Sequence, residues 1–138
     1  MIPAAERAAC DILRNAGLVA HVTPPARAAP PYLRVARVGG TMHNLVTDAP
    51  LLTVSAYGNG AFEASELANR AREALLAARC SWAGDVWVRW WQEAAGPANY
   101  PDPDAERLVR YQFSGVLMVA TNTKTTTPPA TRPGATPS

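Results

Sequence analysis

The chain has 138 residues, 48% of them hydrophobic and 17% charged, which is the composition of one globular domain and not of a disordered chain. The formal net charge is +2, but Lys124 and Arg132 lie near the end of the chain, so the rest carries 11 Arg residues against 11 acidic residues. Such a balance argues against a protein that concentrates positive charge to hold a nucleic-acid backbone. No apolar run reaches the about 20 residues of a membrane span. The N-terminal segment carries charged residues and has no apolar core of a signal peptide, so we expect synthesis in a cytoplasm.

The first predicted elements are a helix and an edge strand. Apolar residues recur with helical spacing over residues 3–15, and Gly17 follows as a helix stop. The short apolar segment 18–22 predicts an edge strand. Segment 24–31, rich in proline, predicts an extended connector, because proline has no N–H to donate to a sheet ladder.

The central part of the chain predicts two strands and the longest helix. Residues 32–38 alternate as a strand that Gly39 and Gly40 would end, and a loop with several apolar residues then runs to residue 50. This loop either forms a partner surface or folds over the sheet. Residues 51–57 alternate as a second strand, and residues 61–79 carry an Ala-rich apolar stripe at helical spacing.

A tryptophan-rich strand is predicted over residues 86–93, which contain three of the four tryptophans. Strict alternation places Trp90 with the valines on one face and Trp87, Arg89 and Trp91 on the other. One face would meet the helices. The other face either meets another subunit or is buried within the same chain, since aromatic and Arg residues are favoured at interfaces.

The remaining segments are a turn at residues 81–85, a loop at 94–107, a strand at 110–120 in which Gly115 marks a bulge, and a tail. The loop carries Asp102, Asp104 and Glu106, which could serve acid–base chemistry or a hard cation, although a solvated turn is favoured. Residues 121–138 are Thr/Pro-rich and predict a mobile tail, which leaves 1–120 as a single domain.

These elements predict an α+β fold in the order α-β-β-β-α-β-β. We expect a mixed, largely antiparallel sheet of four to five strands with two helices packed on one face. Cys10 and Cys80 are expected to be reduced core residues, although a bridge between them stays open. Together with His21 and His43 they match no spacing of zinc ligands, so we predict no metal and no cofactor.

No catalytic motif stands out in the sequence. Nucleophile-elbow, phosphate-loop and zinc-protease patterns are absent, and Gly58 and Gly60 precede a helix without the lysine of a phosphate loop. His43 with Asp48 is a His–Asp pair without a nearby nucleophile, which is weak evidence for catalysis. From the residues we therefore expect a protein that is not an enzyme.

The order of several short motifs carries a resemblance. L-R-V-A-R-V-G-G ending at Gly40 is followed by N-L-V-T-D-A-P and L-L-T-V-S-A-Y, then by an Ala-rich helix, E-A-A-G-P, Y-P-D-P-D and the closing R-Y-Q-F-S-G-V-L-M-V-A. Over residues 3–122 this resembles the tail terminator (tail completion, minor tail) proteins of long-tailed bacteriophages, or siphoviruses, that infect actinobacteria. Each motif is short, and their order and spacing make the resemblance.

The resemblance implies a structural virion protein without catalysis or cofactor. Such proteins form a hexameric ring on the head-proximal end of the tail tube, end tube polymerisation and offer a docking surface to the head connector or stopper protein at the head–tail interface. Phage DNA passes through the lumen without sequence-specific binding, and no membrane is involved. From exposure and polarity, the expected contact residues with other copies, tube protein or connector are Arg34, Arg37, Gly39, Gly40, Met42, His43, Asp48, Trp87, Arg89, Trp91, Asp102 and Asp104.

Three alternatives stay open from the sequence. The first is another ring-forming neck protein of the same particle, such as a head-completion or stopper protein. The second is a small enzyme that uses His43 with Asp48, or the acidic residues around Asp102. The third is a nucleic-acid-binding module, which would bind duplex DNA at low salt and release it as the salt concentration rises.

Overall fold

A computed structural model describes residues 3–123 of the chain. Its elements are helix α1 (Ala5–Asn15), strands β1 (Ala20–His21), β2 (Tyr32–Asn44) and β3 (Thr47–Gly58), helix α2 (Ala61–Ala77), strands β4 (Ser81–Ala83), β5 (Val86–Asn99) and β6 (Val109–Ala120), with a short 3-10 turn at Pro103–Ala105. Most of the predicted tail, residues 124–138, lies outside the described residues. Neither helix in the described part is long and apolar enough to cross a membrane.

The six strands form one sheet in the order β1-β2-β3-β6-β5-β4. The β1–β2 pair is parallel, and every other pair is antiparallel. The predicted α+β class with a mixed, largely antiparallel sheet is therefore confirmed. The sheet has one strand more than expected, because the predicted turn at 81–85 includes β4, whose Ser81 pairs with Val88 of β5.

Both helices contribute their small and aliphatic side chains to one hydrophobic core. Ala8, Ala9 and Leu13 of α1 are fully buried, as are several alanines and Leu75 of α2. They form one cluster with the sheet residues Leu33, Val35, Leu52, Val54, Phe113, Leu117 and Val119. The alanine stripe predicted for α2 thus faces the sheet, where short side chains let helix and strands approach closely.

The predicted loop at residues 39–50 is wrong, because β2 and β3 continue through it as a long hairpin. β2 runs past Gly39 and Gly40 to Asn44, and β3 begins again at Thr47. The pairing skips one residue between Arg37 and Gly39, and Gly40 has a φ of +84°. A side chain at residue 40 would also collide with the backbone of the facing strand. The two glycines therefore mark a β-bulge within a strand, and not its end.

A second bulge interrupts β5, so the alternation predicted for this strand is wrong beyond Val88. Val88 pairs with Val119 but Trp90 pairs with Met118, so one residue is skipped between them. Trp91 consequently returns to the helix side of the sheet, where it is 2% exposed and meets the Phe113 ring edge-on, with centroids 6.2 Å apart. Its assignment as a surface contact residue is wrong, since it is part of the core.

The loop predicted at 94–107 is shorter than expected, since β5 continues to Asn99 with further register shifts. Gly115 of β6 pairs with Glu93 of β5. The first of these shifts follows directly, because β5 skips one residue between Glu93 and Ala95. Both cysteines are free in the structure. Cys10 is buried, as predicted, whereas Cys80 is exposed and therefore is not a core residue.

Candidate functional site

The most exposed apolar surface of a strand pair lies at the end of the β2–β3 hairpin. We define the hairpin tip as residues 38–46. Within it, Leu45 is 94% exposed, and Val38, Met42 and Val46 are between 43% and 58% exposed. Large apolar side chains that are exposed together on one protrusion commonly mark a surface that another protein covers.

The base of the hairpin tip is fixed by an ion pair between Asp48, whose side chain is 4% exposed, and Arg37, whose side chain is 34% exposed. The Arg37 guanidinium donates from Nη1 to Asp48 Oδ2 at 3.0 Å, and the Asp48 carboxylate also accepts from the Ala49 N–H. Arg37 Nε donates to the Gly39 carbonyl oxygen across the bulge. The Arg37 backbone N–H donates to Glu6 of α1, which ties the hairpin to the helix layer. Arg37 and Asp48 were predicted as contact residues, but the structure places both in the hairpin's own support.

The turn of the hairpin tip is held from the other side by β6. The Thr121 N–H and hydroxyl donate to the carbonyl oxygens of Val46 and Leu45 at 3.1 and 2.9 Å. Asn44 Oδ1 accepts from the Val46 N–H, and Arg89 reaches the Val46 carbonyl oxygen at 3.4 Å. Three backbone groups of the turn are therefore hydrogen-bonded, while the Leu45 and Val46 side chains are exposed. A surface organised in this way before binding loses little conformational freedom when a partner arrives.

The His43–Asp48 pair considered from the sequence is not assembled as a catalytic dyad. His43 is exposed on the hairpin tip, whereas the Asp48 side chain is 4% exposed and its carboxylate is engaged by Arg37 and Ala49. A general base requires a partner that orients it and a nucleophile within hydrogen-bond reach. Asp48 is not available to orient His43 in this arrangement.

The acidic turn forms a second polar cluster, which we call the Asp102 cluster, on the sheet face opposite the helices. The Tyr57 hydroxyl donates to Asp102 Oδ2 at 2.8 Å, and the Asp104 N–H donates to Asp102 Oδ1. Arg110 Nη1 lies 3.8 Å from Asp102 Oδ2. Tyr32 stacks on Tyr57 with ring centroids 4.9 Å apart. Asp102 therefore anchors the β5–β6 loop to the sheet, whereas Asp104 is exposed.

The same contacts shift two pKa values. The hydrogen bond from Tyr57 lowers the pKa of Asp102, and the Asp104 N–H and the charge of Arg110 act in the same direction while burial opposes them. Burial is the main cause that raises the pKa of Tyr57, and its hydrogen bond to Asp102 adds to the rise. Because the folded-state pKa of Asp102 is lowered, its contribution to stability is present above the ordinary aspartate range and is lost as pH falls through the lowered value.

We expect Tyr57→Phe to raise the pKa of Asp102 toward its ordinary range, since the largest cause of the lowering is removed. Titration of the Asp102 carboxyl carbon by NMR measures this. The stability difference between the variant and the parent chain should also shrink as pH falls through the Asp102 titration. An unchanged Asp102 titration in the variant would contradict this role of Tyr57.

The recesses of the described surface do not gather the predicted residues into one site. A shallow recess of about 640 Å³ lies between the proline connector and the turn after β5, and it is lined by Arg27, Tyr32, Glu106 and Arg107 among others. Asp104 of the predicted set also lines this recess, whereas His43, Asp48 and Asp102 do not. Within residues 3–123, no three His, Cys, Asp or Glu side chains group in a way that could hold a metal ion.

The other predicted contact residues are distributed over the molecule. Arg34 and Arg89 are exposed, and Trp87 meets Trp82 edge-on across the β4–β5 hairpin with centroids 5.2 Å apart. The predicted set omitted Val38, Leu45 and Val46, although they are among the most exposed apolar residues of the hairpin tip. The available signal was the run of apolar residues in a segment that was read as a loop. The set therefore included Met42 of the hairpin tip but omitted the three other exposed apolar residues.

When the chain is compared with known protein families and with curated proteins, neither comparison finds a match. The geometry of the hairpin tip and the resemblance of the sequence motifs are therefore the grounds on which a function can be argued.

Proposed function

We propose that this chain is a structural virion protein that caps the head-proximal end of a phage tail tube as a ring of six copies. In this proposal the ring ends tube polymerisation, presents a docking surface to the head connector and lets DNA pass through its lumen. One observation carries the proposal beyond the sequence resemblance. The hairpin tip is an apolar protrusion with a fixed backbone, which is suited to contacts between proteins and not to holding a small substrate.

Charge supports the same proposal. The body of the chain has no excess of basic residues, and DNA that must slide through a lumen should not be held tightly by its phosphates. A chain of this size folds to a radius of gyration of about 14 Å, which is too small to enclose a duplex alone. Several copies are therefore needed, and a ring requires contacts between different surfaces that close by rotation.

The test is tube assembly in vitro, with tail tube protein polymerised in the presence of this chain and tube length measured by electron microscopy. The parent chain is expected to give capped tubes of limited length. Leu45→Asp should give overlong tubes, because it places a charge on the apolar tip while leaving the core untouched. Val19→Asp is the matched control, since Val19 is an exposed valine outside the hairpin, 52% exposed, and its replacement should leave tube length unchanged.

The alternative neck protein gives a different outcome in the infected cell. Particles assembled without a terminator should have overlong tails, whereas particles without a head-completion or stopper protein should have tails of normal length that are detached from heads. Normal, detached tails after deletion of this chain would contradict the proposed function.

A further inference from the structure

The outer edge of strand β2, on the side away from β3, is longer than the strand that covers it. β2 has 13 residues, Tyr32–Asn44, whereas β1 has two residues and pairs with Leu33 and Arg34. Within residues 3–123, the sheet order places no other strand on this side of β2. An uncovered edge presents backbone N–H and C=O groups that can pair with a strand of another chain. The part of β2 beyond Arg34 therefore needs some other protection.

Helix α1 reaches this edge with one side chain at the point where β1 ends. The Leu33 N–H donates to the Val19 carbonyl oxygen at 2.8 Å, on the side of β2 away from β3. Because N–H directions alternate along a strand, the Arg37 N–H, four residues later, points to the same side. It donates to Glu6 Oε2 at 3.2 Å. The Glu6 carboxylate therefore takes the position that a carbonyl oxygen of an added strand would need.

Glu6 covers the regular part of the uncovered edge, and bulges follow directly after it. Residues 35–37 pair with β3 in one continuous register, so this stretch has the regular geometry that a further strand needs. Beyond Arg37, β2 skips one residue before Gly39 and another between Met42 and Asn44. Bulges bend and twist an edge, which makes it a poor template for another strand. The edge is thus protected in turn by β1, by Glu6 and by the bulges.

The opposite edge of the sheet is protected by the strand itself. β5 continues to Asn99, whereas β4 pairs with residues 86–88 of it. The uncovered part contains register shifts and Pro97, which has no N–H to donate. At β2, by contrast, the protection of residues 35–37 rests on a side chain from another element. It can therefore be removed without altering the strand.

We propose that Glu6, in the first turn of α1, is an edge cap that closes β2 to strands of other chains. This device is independent of the proposed ring. Glu6→Ala removes the acceptor, so the Arg37 amide hydrogen is expected to exchange about tenfold faster at low protein concentration. At high concentration the same amide should become protected again, because the opened edge pairs with the edge of a second copy.

Hydrogen exchange followed by NMR, with analytical ultracentrifugation over the same concentration range, tests the edge cap. Glu6→Gln is the matched control, since glutamine loses the charge but keeps an oxygen that can accept from the Arg37 N–H. It should associate no more than the parent chain. Glu6→Asp keeps the charge at the start of α1 but is one methylene shorter, so it should behave like Glu6→Ala. The amides of β3 in the same spectra report whether each variant is folded.

The pattern across the variants decides the proposal. An Arg37 amide that exchanges at the parent rate in both Glu6→Ala and Glu6→Asp would overturn it. Faster exchange without protection at high concentration would show that Glu6 only holds the hairpin locally, which also overturns it. Equal self-association of Glu6→Ala and Glu6→Gln would assign the effect to charge and not to the lost acceptor, with the same consequence. Capping of tube ends by the parent chain is a separate measurement, so none of these results decides the proposed function.

Discussion

Replacement of Gly115 by alanine is expected to lower the free energy of unfolding by about 3 kcal/mol. Gly115 pairs with Leu52 in the middle of the sheet, on the side that faces the core. A Cβ atom at this position would lie 2.5 Å from Cζ2 and Cη2 of Trp91 and 2.7 Å from the Gln92 carbonyl oxygen. The indole is 2% exposed, and the carbonyl belongs to the neighbouring strand β5. The missing side chain of Gly115 therefore makes room for the Trp91 ring.

Chemical denaturation of the Gly115→Ala variant measures the loss. Gly39→Ala in strand β2 is the matched control, because its Cβ would meet nothing nearer than Leu51 at 3.9 Å. Gly115→Ala should also cost about 1 kcal/mol less in a Trp91→Phe background, since phenylalanine lacks the ring atoms that collide. Equal costs in the two backgrounds would contradict the proposed collision.

Arg37→Ala is expected to lower the free energy of unfolding by about 3 kcal/mol. The variant leaves the Asp48 carboxylate, whose side chain is 4% exposed, without its cation. The Ala49 N–H still donates to it, but one neutral donor does not replace a charged one. The contact of Arg37 Nε with Gly39 is lost as well, so the bulge at the base of the hairpin tip loses its support.

Three comparison variants separate the buried charge from a general effect of losing an arginine. Arg7→Ala removes an ion pair with Asp85 whose side chains are 61% and 36% exposed, and should cost below about 1 kcal/mol. Asp48→Asn with Arg37 intact should cost less than Arg37→Ala, because it leaves no buried negative charge. The double variant Arg37→Ala, Asp48→Ala should cost less than the sum of the two single changes. Additive costs, measured by the same denaturation assay, would count against a coupled pair.

Arg37→Ala also bears on the proposed assembly. The residue supports the hairpin tip from below, whereas Leu45 supplies its apolar surface. If the tip must be held in place before it binds, Arg37→Ala at a temperature where the chain stays folded should weaken self-association, although no apolar surface has been removed. Analytical ultracentrifugation of the parent chain, Arg37→Ala and the control Arg7→Ala compares these effects.

The sequence by itself determined the elements whose signal is local. The helical spacing of alanine and leucine placed α2 within two residues of its observed end, and alternation found the cores of β3 and β6. These periods follow from the geometry of a single helix or strand, so they can be read without knowing the partner. The α+β class followed from the order of such elements. The apolar run around Leu45 indicated a possible partner surface, although its segment was predicted as a loop.

The tertiary structure alone decided where the strands skip a residue. Two consecutive glycines such as Gly39 and Gly40 are typical of a strand end. In the structure β2 continues past them, because it stays paired with β3 and forms a bulge there. One skipped residue in β5 moves Trp91 from the expected surface into the core and leaves Trp90 outside. The physical reason is that strand register is set by packing across the sheet, and a shift of one residue exchanges the two faces. The alternation within one strand does not show its register, because the residues that set the register lie on other strands.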